Sequence, residues 1–410
     1  MPRTTRPMST PRRVRSLHRA SLLGAIALIS LLSGLLATTP AEADSSVKFM
    51  RDARSDFDPY LTSDDDATRD WIRENYWRMR GYAPFFSNNA IEWAPPTHVY
   101  RDAYAIYNDR KNYPNRPDLK TLEQHPDWAL RDAAGKPLYI QFGCSNGSCP
   151  QFAADIGNPE FRRYWIEQAA EVLDDGYKGL YIDDVNMEWR ISNGSGQSTT
   201  PIDPRTGQPM TIEAWRLYMA KFMAEVAAAF PSVEITHNNL WFAPRDEDSI
   251  RREIDSADFV NLERGFNDAG IVGGTGKFGY ETLLAQIESI HASGASAILM
   301  PYGLDRQSAE FELANYFLIK TGRDALMSDY RANPSDFWNG WQTDLGRPKG
   351  HWRIWRGLFR RNYQGGMVLV NQPDAATASV RVPANLHDLD GNSVRKLTLS
   401  ARSAKVLIRD

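Results

Sequence analysis

Two adjacent carboxylates close a short apolar run, Gly179-Leu180-Tyr181-Ile182-Asp183-Asp184-Val185-Asn186. In a strand the side chains alternate, so Tyr181 and Asp183 share one face while Ile182 and Asp184 share the other. At most one of the two aspartates continues the face that carries Tyr181. A carboxylate held at such a strand end can attack, or electrostatically shield, an electron-poor sugar carbon. That chemistry requires a second, protonated acid on the other side of the bond. Glu263, at the end of Phe259-Val260-Asn261-Leu262-Glu263-Arg264, is the expected second acid. Phe266 and Trp241 are expected to raise its pKa by an apolar surround, with Arg264 tuning or neutralising it. The bland alternatives are that Asp184 caps a helix and that Glu263 and Arg264 form a surface pair.

Other polar residues gather around these acids. His237-Asn238-Asn239 offers hydrogen-bonding groups suited to sugar hydroxyls rather than a third carboxylate. Arg101, Asp102, Asn186, Tyr302 and Asp329 are further substrate-binding candidates, although Arg101 and Asp102 are neighbours in a strand and must point to opposite faces. Trp93, Trp189, Trp241, Tyr302, Trp338 and Trp341 fall in or near the same loops. Flat aromatic faces stack on the C–H faces of sugar rings, so this cluster reads as stacking surface.

Such residues need a scaffold that presents strand ends together. Apolar runs at 47–50, 97–107, 138–142, 179–182, 233–236, 259–262, 297–301 and 325–328 alternate with amphipathic stretches, clearest at 159–173, 212–230, 280–293 and 308–320. Eight strands alternating with helices predict a closed α/β (β/α)8 TIM barrel, whose chemistry collects at the C-terminal strand ends. Asn158-Pro159-Glu160 has the signature of a helix start. Beyond residue 340 the pattern turns to β-type alternation, with Asp390-Gly391-Asn392 as a hairpin turn. The expected organisation is a leader over 1–43, a barrel over 44–340 and a small C-terminal β-sandwich accessory domain over 341–410.

Composition narrows the function. Forty-eight Lys and Arg against 51 Asp and Glu leave a net charge of −3, which gives no general attraction to nucleic acid or an anionic membrane. Mean hydropathy is −0.49, in the range of soluble globular proteins. Six arginines between Arg3 and Arg19, an apolar run from Ser21 to Leu36 and the small-x-small site Ala41-Glu42-Ala43 predict export, by cleavage or with a retained N-terminal anchor. Cys144 and Cys149, the only cysteines, are expected to form one small disulfide loop in an exported chain. No histidine pair has metal-ligand spacing, so no metal or other cofactor is expected, and a zinc-dependent polysaccharide deacetylase is disfavoured. A sugar-binding barrel without catalysis is the alternative from another class.

Longer runs carry a resemblance. Asp155 to Arg162 (D-x-x-N-P-E-x-R) is similar to the segment after the third strand of many barrel glycoside hydrolases. GLYIDDVN resembles the fourth-strand G-x-x-x-D of α-amylase and α-galactosidase type barrels, and GGMVLVNQP with the tail that follows resembles their C-terminal β-domain. Together they resemble the glycoside hydrolase-like family fifteen over nearly the whole chain after the leader. The resemblance implies a nucleophile-like acid at Asp183, or at Asp184 if the α-galactosidase form applies. Amylase-type barrels would place a Glu after the fifth strand, where His237-Asn238-Asn239 stands. Glu263 fits the α-galactosidase arrangement by position and not by residue type, which leaves retention and inversion both open.

Overall fold

The computed structural model describes residues 46–82, 92–111, 116–242 and 246–410. The leader expected over 1–43 lies outside the described residues. Eight parallel strands close into a barrel in sequence order: β1 (Phe49–Asp52), β2 (Arg78–Tyr82), β3 (Thr97–Asp102), β4 (Gly179–Asp183), β5 (Glu234–Asn238), β6 (Phe259–Glu263), β7 (Ser296–Met300) and β8 (Ala325–Met327). Around them run α1 (Asp66–Asn75), α2 (Pro159–Asp174), α3 (Ile212–Ala229), α4 (Asp248–Ile254), α5 (Tyr280–Ala292) and α6 (Arg306–Ile319). The (β/α)8 architecture is therefore the one the alternating pattern predicts.

One strand assignment is corrected. The second barrel strand is Arg78–Tyr82, whereas the expected strand at 138–142 supplies only Tyr139–Ile140 to an antiparallel sheet in the loops, with 105–107, 151–153 and 191–192. Arg78–Tyr82 has no apolar run because two of its inward positions are arginines. Arg78 binds Glu234 at 3.0 Å, and Arg80 forms a forked pair with Asp52 at 2.8 and 2.6 Å. The Arg80 guanidinium also lies 4.5 Å from the centre of the Tyr181 ring, so the barrel interior contains an ion pair stacked on an aromatic. Burial acts to raise the Asp52 pKa, but the Arg80 and Arg54 charges win and hold it below the usual value.

Alternation places the core on both faces of each strand. Met50, Tyr181, Phe259, Ile298, Met300, Ala325 and Met327 fill the barrel interior. Val99, Leu180, Ile182, Val260, Leu262 and Leu299 face outward into the helix layer. Helix α2 starts where expected, with the Asn158 side chain accepting the Glu160 amide N–H at 2.9 Å. Gly179 has no substitute at the start of β4, because a Cβ there would stand 2.3 Å from the His98 ring.

The C-terminal part is the expected small sandwich. A five-stranded antiparallel sheet is formed by β9 (Arg353–Trp355), β10 (Leu358–Tyr363), β11 (Gly366–Asn371), β13 (Leu386–His387) and β15 (Ser403–Arg409). The pair β12 (Ala378–Arg381) and β14 (Lys396–Leu399) covers one of its faces through Leu358, Met367, Leu369, Val380 and Leu407. The other face lies on α6, whose residues Ala309 to Ile319 are all buried. Arg361 donates to the Phe317, Leu318 and Lys320 carbonyls at 3.2, 3.1 and 2.6 Å, closing the helix C-terminus. Lys405 pairs with Glu310 at 2.8 Å. No helix among the described residues is long and apolar enough to cross a membrane.

Candidate active site

Strand β4 ends on Asp183 and the chain turns at once. Asp184 adopts the left-handed conformation with φ 57°, which aspartate tolerates better than most residues. The turn leaves Asp183 on the inward face and aims it into the barrel mouth. Three donors converge on its carboxylate: the Tyr100 hydroxyl on Oδ2 at 2.5 Å, and Asn238 Nδ2 and the Asp184 amide on Oδ1 at 2.6 and 2.8 Å.

Asn238, at the end of β5, also donates to Glu263 Oε2 at 3.4 Å. One amide nitrogen therefore bridges both acids, and the two bridged oxygens are at most 6.0 Å apart, the length of the two contacts laid end to end. The amide cannot turn away, because its oxygen accepts from Asn261 Nδ2 at 2.8 Å. Glu263 closes β6 and is exposed, and Phe266, expected to shelter it, packs on Tyr280 with ring centres 5.2 Å apart.

Two further aspartates complete the cluster. Asp102, two residues after Tyr100 on the same face, contacts the Tyr107 hydroxyl and lies 3.4 Å from Gln151 Nε2 and 3.1 Å from the Tyr100 hydroxyl. Burial, reinforced by the Asp183 charge, pushes its pKa up to about 6. A proton on Asp102 suits the geometry, since Tyr100 has one hydroxyl hydrogen and directs it at Asp183. Asp184 is driven well above the usual carboxylate range by burial and then by the Asp183 and Asp102 charges. Asn186 Nδ2 holds it at 2.8 Å, and the Arg190 guanidinium approaches to 3.8 Å.

These groups line a cavity of about 540 Å³ at the C-terminal end of the barrel. Of the residues singled out in the sequence, Asp102, Asp183, Asp184, Asn186, Asn238, Asn239, Trp241, Glu263 and Arg264 line it. Arg101 and His237 do not, because they occupy outward positions of their strands. Arg101 lies over the Trp165 ring in the helix layer, and His237 binds the fully buried Glu253 of α4 at 2.7 Å. Tyr181 lies inside the barrel with its hydroxyl 3.8 Å from Met300 Sδ. Tyr302 and Asp329 line a separate pocket of about 160 Å³ with Asp52 and Arg54. Among the expected stacking surfaces only Trp241 lines the large cavity; Trp338 and Trp341 are buried against each other at 4.6 Å.

The reading of the sequence missed Tyr100, Phe142, Gln151, Arg190, Phe242 and Asp268, all of which line the cavity. Tyr100 was recoverable, since Tyr100 and Asp102 repeat the two-residue spacing of Tyr181 and Asp183. Phe142 is 65% exposed and lies just before a loop closed by the Cys144–Cys149 disulfide. Behind Glu263 the backbone is left-handed at Arg264 and Gly265, with φ 68° and 54°. A buried Glu312 on α6 anchors this turn. Its carboxylate accepts the Phe266 amide at 3.0 Å, the Asn267 amide at 3.1 Å and Asn267 Nδ2 at 2.8 Å. Burial raises the Glu312 pKa to about 7 against the pull of those donors. No cluster of side chains that could hold a metal ion occurs among the described residues.

Several solved structures are similar to this chain. The glycoside hydrolase domain of PelA from Pseudomonas aeruginosa is similar at 14% identity and a TM-score of 0.42, covering 70% of this chain and 95% of that one. A noncanonic maltogenic alpha-amylase, AmyB from Thermotoga neapolitana, is similar at 9% identity and a TM-score of 0.46, with 88% and 96% covered. The alpha-galactosidase TtGalA from Thermus thermophilus is similar at 13% identity and a TM-score of 0.45, with 77% and 65% covered. No curated protein matches. Residues 96–367, more than half of the chain and including every acid of the site, match the family described as hypothetical glycosyl hydrolase family 15, and the chain belongs to that family.

Proposed function

We propose that this glycoside hydrolase cleaves O-glycosidic bonds of an extracellular polysaccharide or oligosaccharide by double displacement, with retention at the anomeric carbon. Asp183 attacks that carbon while Glu263 protonates the departing oxygen. Glu263 then takes a proton from the water that releases the sugar from Asp183. The observation that carries this reading is the Asn238 bridge, which keeps one oxygen of each acid within 6.0 Å of the other. Retaining pairs stand about 5 to 5.5 Å apart and inverting pairs roughly 6.5 to 9.5 Å.

The partners of each acid suit these roles. Three donors to Asp183 fix the orientation of its carboxylate in the barrel mouth, as a positioned nucleophile requires. Glu263 is exposed, so incoming water reaches it. Asp184 is buried and raised in pKa, and its part is to hold the turn after β4. Asn186, Asn239, Gln151 and Arg190 offer donors to hydroxyls, and Trp241 and Phe142 offer ring faces. Export rests on the arginine-rich, apolar and small-x-small order of residues 1–43.

A glycan panel read by product mass finds the substrate, and Asp183→Asn should abolish its hydrolysis while leaving the unfolding midpoint unchanged. A normally folded, fully active variant removes Asp183 from this role. Binding without turnover across the panel makes the barrel a sugar-binding module instead. An inverted anomer in the first product, read by NMR, overturns retention.

A further inference from the structure

A local departure from the chain's charge balance lies far from the site in sequence, in the C-terminal part. Between Asp344 and Asp374 there is no acidic residue, while Arg347, Lys349, Arg353, Arg356, Arg360 and Arg361 are all basic. Arg361 is used internally, on the carbonyls that end α6. Arg353, Arg356 and Arg360 have no carboxylate partner among the described residues, and all belong to the β9–β10 hairpin at the open edge of the five-stranded sheet.

Three features of that hairpin run against its own stability. Arg353 and Arg360 are paired directly across the two strands, cation facing cation, which is unfavourable without a counter-ion. Arg356 occupies the first of two left-handed turn positions, with φ 55° followed by 80° at Gly357, where asparagine, aspartate or glycine is favoured. Ile354 is 56% exposed on the edge strand. Edge protection against aggregation accounts for charge there, but not for an exposed isoleucine or a strained arginine.

The same residues are preorganised. The Arg360 and Arg356 guanidinium carbons lie 4.7 and 5.2 Å from the centre of the Trp355 ring, so both planar forks are held against one indole. Arg360 is fixed further by Asn362 Oδ1 at 2.9 Å. Burial, and then the Arg353 charge, lower the Arg360 pKa, the response of a cation lacking a counter-charge.

We propose that the β9–β10 hairpin is a docking site for an acidic polysaccharide, whose repeating carboxylate or sulfate groups are clamped by Arg353, Arg356 and Arg360 around the Trp355 indole. The preference for a glycan over nucleic acid or lipid rests on the glycoside hydrolase family. The site would hold the enzyme on a charged polymer independently of the cavity that cuts. It stands or falls without reference to Asp183.

The test is binding of the full chain, by affinity electrophoresis at low and high salt, to polygalacturonate, neutral dextran, duplex DNA and phosphatidylserine vesicles. Polygalacturonate should bind with strong salt dependence and dextran should not. DNA and vesicles should bind at least about tenfold more weakly at matched charge. The triple substitution of Arg353, Arg356 and Arg360 by Ser should lower polygalacturonate binding at least about tenfold. Arg356→Asn suits the left-handed turn, cannot unfold the hairpin, and should weaken binding on its own. No binding, unchanged binding in both variants, or equal affinity for DNA or vesicles overturns the proposal.

Discussion

The bridging amide of Asn238 gives a prediction that needs no substrate. Asn238→Asp keeps size and shape but replaces the nitrogen 2.6 Å from Asp183 Oδ1 and 3.4 Å from Glu263 Oε2 by an oxygen. The oxygen that accepts from Asn261 is retained, so the substitution is local. Two unit charges about 3 Å apart repel by about 5 kcal/mol at an effective dielectric of 20. The folded protein escapes this by binding a proton, which raises the pKa of the cluster. A rise of about three units corresponds to about 4 kcal/mol, since each unit is worth about 1.4 kcal/mol. The raised pKa fixes the sign. Well below about pH 4 the introduced carboxyl is protonated in both the folded and the unfolded chain and the variant matches its parent; the loss grows as pH rises through the folded pKa and is complete near about pH 8. Urea unfolding of both proteins from about pH 4 to 8.5 reads the difference directly. A difference that does not vary with pH, or a variant as stable as its parent at pH 8, refutes the bridge.

Other perturbations separate packing from chemistry. Gly265→Ala would place a Cβ 2.1 Å from Glu312 Oε1 at a left-handed position, so it should displace that buried carboxylate and destabilise by about 3 kcal/mol; an unchanged urea midpoint contradicts this. Asp102→Asn removes a carboxyl whose pKa rises from 3.8 to about 6 on folding, a shift whose stabilisation is present below pH 3.8 and lost as pH rises through 6. The variant should therefore gain on its parent across that window, by up to about 3 kcal/mol, as measured by thermal unfolding at several pH values, and a gain confined to acid pH counts against it. Phe142→Ala should leave stability within about 0.5 kcal/mol and raise KM for an oligosaccharide about tenfold at unchanged kcat; a fall in kcat alone would mean that Phe142 is not a stacking surface.

The fold and the central acid were legible because alternation and strand-end position constrain them. GLYIDDVN places Asp183 on the inward face whatever its partners are, and the barrel fixes where that face leads. The same rule sends Arg101 and His237 outward, yet the polar character of both had marked them as ligands. Strand β2 escaped notice because Arg78 and Arg80 are neutralised by Glu234 and Asp52, residues distant in sequence, so its burial could not be read from its own hydropathy. The run at 138–142 alternates as a barrel strand would, but sheet membership depends on what it pairs with, and it pairs with loops. Tryptophan content was a poor guide to the cavity, since Trp338 and Trp341 were needed to pack the core beside Phe49. The Asn238 bridge and the Glu312 anchor join residues from separate strands, turns and helices, and no local pattern announces such contacts.

The burial of α6 bears on the order in which the chain can finish folding. Its outer side is covered by β11 and β15, and β15 ends only at Arg409. A nascent chain that has already exposed all eight barrel strands still presents an uncapped, apolar helix. Its last carbonyls wait for Arg361, and Glu310 waits for Lys405. Burial of α6 is thereby completed only by β11 and β15, so the C-terminal strands act as the latch of the hydrolase, and a chain clipped before them is left with a sticky helix.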